Sequence, residues 1–182
     1  VLATMQTMNN EFADGPFPFS QPFMAATVRN VQVNNFQLAI EQGETNTSFS
    51  QAENIAYLAI TPGTGVLIPA TGGDPGVTYE AIRTPQNIRG LAVNDCRVSN
   101  FTSNFANAPL VIASQNTRNG SDGGWLERCS ISANSVGFNI TEDGRDNDLN
   151  HINERAGVLA LGGNFADYTN SCGPSIDHFE ID

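Results

Sequence analysis

The feature that most constrains this chain is that it repeats itself. Residues 1–7, an apolar start at Val1, Leu2 and Ala3 running to Thr7, align with residues 111–117, which run from Val111, Ile112 and Ala113 to Thr117. Residues 27–31, with Arg29, align with 126–130, with Arg128, and residues 35–41 around Phe36 align with 137–143 around Phe138. Residues 53–60, from Glu53 to Ile60, align with 154–161, from Glu154 to Leu161. Four blocks in one order point to two copies of a single structural unit, and a repeat of this kind outranks any local assignment.

Each block alternates apolar and polar residues over a strand's length, as at Phe36, Leu38 and Ile40 or at Phe138 and Ile140. A period of two turns one face to a core and the other to water. Clusters of Asn, Gly, Asp, Ser and Pro supply the turns between blocks, and no segment sustains a helical stripe. The pattern predicts an all-β protein of two tandem antiparallel β-sandwich units of the same type, packed together. The first unit is expected over 1–61 without a leading strand and the second over 85–168. The Gly- and Pro-rich 62–84 segment is expected to be a linker or crossover, and 169–182 a tail or strand leading to a further domain.

Charge narrows the function classes. Eight basic residues, all arginine, stand against 19 acidic ones, for a formal charge of −11. That balance removes the attraction to phosphate and to anionic lipid, so neither nucleic acid nor a membrane surface is an expected partner. No apolar run reaches the ~18 residues of a membrane span, so this segment is not expected to insert. The chain opens on Val1-Leu2-Ala3 without an initiator methionine, and we read it as a piece of a longer extracellular or cell-surface protein.

Three cysteines, Cys96, Cys129 and Cys172, allow two readings. They are three buried thiols, or one disulfide with a leftover; for the disulfide the favoured pair is Cys96 with Cys129.

The succession of an apolar strand, an arginine-bearing strand, a Gly/Asn-Phe turn and strand, and a closing strand ending in Leu-Ala-Ile resembles the H-type lectin domain. That resemblance covers most of both copies. It implies a six-stranded antiparallel sandwich, often trimeric, that binds N-acetylgalactosamine-like sugars with an arginine on the central strand, matched here by Arg29 and Arg128. The aromatic and histidine pair that the family places after its Gly-Phe strand is replaced by Glu41 and Gln42 in one copy and by Asp143 and Gly144 in the other. The segment from Cys172 to Phe179 is similar to a junction in large surface proteins of the mannose-sensitive haemagglutinin pilus biogenesis type.

Candidate chemistry is sparse. No Gly-x-Ser-x-Gly elbow, His-Glu-x-x-His or paired-cysteine metal spacing occurs, and His151 and His178 read as satisfied surface or edge histidines, so a binding role is expected rather than an enzymatic one. Trp125, beside the small polar residues 119–124, either stacks on a sugar face or plugs a sandwich end. The acidic loop with Asp143, Asp146 and Asp148 offers hard oxygen ligands for Ca²⁺, or is a solvated hairpin partly neutralised by Arg145. The expected ligand site, for a glycan or another cell-surface ligand, combines Arg128, Trp125, Asp122 and Asp143 on the second copy, with Arg29 on the first. The loop 10–23, with four phenylalanines and three prolines, is a candidate surface for self-association or a partner.

Overall fold

A computed structural model describes residues 1–7, 9–10, 24–42, 51–70, 72, 76–90, 96–120, 123–142 and 150–163. Among them every regular element is a strand. In chain order these are β1 Leu2–Met5, β2 Met24–Arg29, β3 Gln37–Gln42, β4 Ile55–Leu58, β5 Gly63–Ile68 and β6 Val77–Arg83. They continue with β7 Arg97–Asn100, β8 Leu110–Gln115, β9 Trp125–Ile131, β10 Ser135–Thr141 and β11 Ala156–Gly162. All the strand pairs are antiparallel. They form a β5-β6-β11-β8 sheet, a β7-β10-β9 sheet, and the pairs β1-β4 and β2-β3.

The principal core lies between the two larger sheets. Val136, Phe138 and Ile140 of β10 meet Ala156, Val158 and Ala160 of β11, with Phe101 and Phe105 closing one side edge-to-face at 5.2 Å. On β11 the other set of side chains, Leu159 and Leu161, joins Ala81 of β6 and Leu2 of β1 in a second cluster on the opposite face of the same sheet. A central strand covered on both faces loses its polar alternation, which is why β11 reads Ala-Gly-Val-Leu-Ala-Leu-Gly. Gly157 is where β1 crosses it. A Cβ there would stand 2.5 Å from the Val1 carbonyl oxygen and 2.3 Å from Asn116 Nδ2, so the close approach requires glycine.

The repeat is visible in strand register. Leu2 lies opposite Leu58 and Ala3 opposite Tyr57, while Ile112 lies opposite Leu159 and Ala113 opposite Val158. These are the same pairs under the sequence alignment. The hairpins β2-β3 and β9-β10 differ by a bulge. Ser130 faces Gly137 and Arg128 faces Phe138, which leaves Cys129 without a partner on β10. Because Arg29 faces Gln37 and Arg128 faces Phe138, Glu41 corresponds to Glu142, four residues further along, and not to Asp143 as the block alignment has it.

The 62–84 segment corrects the sequence reading. It is not a linker or crossover: it carries β5 and β6, which extend the sheet of β8 and β11. Its glycines and prolines mislead because they end the strands and form their turns, Gly76 at φ 73° among them, while Val77, Tyr79 and Ala81 supply the alternation between. The 169–182 segment and Cys172 lie outside the described residues.

Candidate functional site

Two glutamates at equivalent repeat positions organise the loops that follow β1 and β8. In the first copy the Thr7 hydroxyl donates to Glu53 Oε2 at 2.6 Å and the Asn10 N–H donates to Oε1 at 2.9 Å. In the second the Thr117 hydroxyl donates to Glu154 Oε2, and the Asn119 N–H donates to Oε1 at 2.7 Å. In each case the threonine oxygen also accepts a backbone N–H, from Asn54 or Arg155, at 2.8 Å. A carboxylate taking several N–H and O–H donors is a stable way to end a strand beside a core.

The second copy adds an enclosed charge network. His151 presents Nδ1 to Glu142 Oε1 at 2.7 Å and Nε2 to Glu154 Oε1 at 3.3 Å. With both ring nitrogens facing carboxylates, the doubly protonated ring satisfies both. Burial alone would lower the His151 pKa, but the bonds from Glu154 and Glu142 and their negative charges hold it above its ordinary value. Burial would raise Glu154, but its donors His151, Thr117, Asn119 and Gly120 hold it below. Glu41, from the first copy, pairs with Arg118 of the second at 2.6 Å. Burial pushes its carboxyl up, and Arg118 offsets this only in part.

These groups are too enclosed to meet a substrate, since His151, Glu142 and Glu154 expose 2%, 2% and 0% of their side chains. His151 is therefore not the surface histidine the sequence suggests. The polar context of residues 142–154 hides that Glu142 and Glu154 are themselves buried partners. The legible signal is Glu154 itself, a charged residue matched by Glu53 at the head of an apolar strand.

Beside this network a groove of about 300 Å³ runs between the copies. Ala3 and Thr4 of β1, Ala25 of β2, and Ala113 and Ser114 of β8 give it small side chains, with Trp125 of β9 and Glu41 of β3 also lining it. Ser114 joins the copies at its floor, its hydroxyl accepting from the Ala3 N–H and donating to the Ala3 carbonyl, both at 2.9 Å. Trp125 is half-buried at the groove.

The described residues separate the expected ligand set. Trp125 and Arg128 lie three apart on a regular stretch of β9, so alternation turns them to opposite faces of the sheet. Neither matched arginine stands on a central strand: Arg128 is on β9, an edge of its three-stranded sheet, and Arg29 ends β2 of a two-stranded pair. Both are exposed. Asp122, Asp143, Asp146 and Asp148, and with them the Ca²⁺ expectation, lie outside the described residues, as do loop residues 11–23 and His178. Among the described residues no group of three or more His, Cys, Asp or Glu is arranged to hold a metal ion. No family model, curated protein or solved structure matches the chain. The Cys96–Cys129 disulfide forms as expected, with Cα atoms 5.7 Å apart.

Proposed function

We propose that the chain is an extracellular carbohydrate- or surface-binding module of a larger adhesin or pilus-associated protein, built from tandem H-type lectin-like units, and that the groove between the copies is its ligand site. The observation that carries this reading is Trp125 half-buried along a groove in which Thr4 and Ser114 stand among small and apolar side chains such as Ala3, Ala25 and Met5. An aromatic side chain beside hydroxyl-bearing ones suits a sugar, whose apolar face stacks while its hydroxyls find donors and acceptors. The disulfide supports an oxidising compartment. No helix among the described residues is long and apolar enough to cross a membrane.

The test is a broad glycan array probed with the purified chain and with Trp125→Ala, with and without Ca²⁺. Sugar-specific signal lost in the variant supports the groove as the site. Signal that survives the substitution, or none from a folded chain, sinks it.

A second reading, an assembly or spacer module, rests on apolar side chains left in water on β4 and β8. Tyr57 and Leu58 of β4 and Leu110 and Ile112 of β8 are about half exposed. Mass measured by light scattering over a range of concentrations tests it, since an assembling chain grows with concentration and a simple spacer does not.

A further inference from the structure

A second groove, of about 450 Å³, lies away from Trp125 between the β2-β3 turn and the sheet of β6 and β11. One lip carries the amides of Gln32, Asn34 and Asn35, the wall carries Phe36 and Ile60, and Arg83 stands at the sheet side. Arg83 faces Gly157 across the strands, and Arg155, which precedes β11, is close enough for its charge to act on Arg83.

In a chain with 19 acidic residues against eight basic ones, this pair is anomalous. No hydrogen bond or ion pair engages the Arg83 or Arg155 side chain among the described residues, and Arg155 Nε is buried without a partner. The carboxylates nearest in sequence are committed elsewhere. Glu80 accepts from the Thr102 and Ser103 N–H groups at 2.8 and 2.7 Å, and Glu154 is held by Thr117, Asn119 and His151. Burial and the neighbouring Arg155 charge both push the Arg83 pKa down. Two neighbouring positive charges repel, an anion beside them relieves that repulsion, and the planar fork of Arg83 suits a carboxylate or sulfate.

We propose that this groove binds an oxyanion, with Arg83 as its ligand, the charge of Arg155 behind it adding to the attraction, and the amides of Gln32, Asn34 and Asn35 placed for the hydroxyls of an acidic sugar that carries it. The site is independent of the Trp125 groove.

The test titrates the whole chain with galacturonate, galactose and inorganic sulfate, read by calorimetry. Galacturonate is expected to bind roughly 10-fold or more tightly than galactose, and Arg83→Gln and Arg155→Gln are each expected to weaken it by roughly 10-fold. Trp125→Ala is expected to leave it unchanged, and Arg83→Lys to recover part of the loss by restoring the charge. Thermal unfolding of each variant confirms that it is folded. Displacement of galacturonate by equimolar sulfate would assign recognition to the oxyanion alone, and resistance to sulfate would assign a share to the sugar. Equal affinity for galacturonate and galactose, or galacturonate binding untouched by both arginine substitutions, would overturn the proposal.

Discussion

Glu142 Oε1 stands 2.7 Å from His151 Nδ1, with each side chain 2% exposed. A contact this enclosed makes stability depend on the charge of both groups. The folded His151 pKa lies above its ordinary value of 6.5, so its contribution is fully present below that value and is lost as pH rises through the folded pKa. Glu41, also raised, acts with the same sign, from its ordinary 4.5 upward. Glu154 is depressed, so its contribution is present above its ordinary 4.5 and is lost as pH falls through the folded value. The melting temperature is therefore expected to fall on both sides of a mildly acidic optimum. In His151→Gln the alkaline decline should flatten, and a variant that keeps the wild-type alkaline slope would remove His151 as its source.

Glu154 is the partner whose loss costs most. His151, Thr117, Asn119 and Gly120 all turn donors to its carboxylate, and none of the side chain is exposed. Glu154→Ala leaves those donors facing a cavity and is expected to destabilise the fold by about 3–5 kcal/mol. The equivalent Glu53→Ala is expected to cost less, because that carboxylate lies nearer to solvent. Urea denaturation of the two variants makes the comparison, and equal losses would contradict the different burial of the two positions.

The network also shows how far the sequence could be read. The repeat and the alternation at Phe36, Leu38, Phe138 and Ile140 are local patterns, and they led to an all-β chain whose β1-β4 and β8-β11 pairs share a register. In segment 62–84 composition points to a linker because its glycines and prolines report turns more loudly than the short alternation between them. The grooves were not legible. Each is assembled from segments far apart in the chain, Ala3 with Ser114 in one and Asn35 with Arg83 in the other, and only packing brings them together. Trp125 and Arg128 are close in sequence, but on a strand an odd spacing means opposite faces.

Gly157 tests the contact between the copies. A methyl group there meets the Val1 carbonyl and the Asn116 amide, which themselves hydrogen-bond at 2.7 Å. Gly157→Ala should force β1 off the sheet and uncover Leu2, which is 6% exposed, from Leu159. The expected cost is about 1–3 kcal/mol, with faster amide exchange in β1 and little change in β10. Uniform exchange through both strands would mean that β1 is not the element displaced.

The disulfide is coupled to one glycine. Cys129 occupies the bulge of β9, Cys96 precedes β7, and the bridge passes over Gly137 of β10, where an added Cβ would lie 2.4 Å from Cys96 Sγ. Closing a loop between cysteines 33 residues apart stabilises by roughly 4 kcal/mol through the unfolded chain. Replacing both cysteines with serine is therefore expected to lower stability by about that amount. Gly137→Ala should destabilise the disulfide-bonded protein by a further 1–3 kcal/mol, roughly the cost of overpacking. The two changes should not add. With the sulfurs gone, the serine hydroxyls can turn away and the methyl group meets less, so Gly137→Ala should cost less in the serine background. Ser130 Oγ, also 2.4 Å from the added Cβ, is a second obstacle, so a triple variant with Ser130→Ala separates its share. Additive losses across the cycle would show that Gly137 serves the strand itself and not the bridge above it.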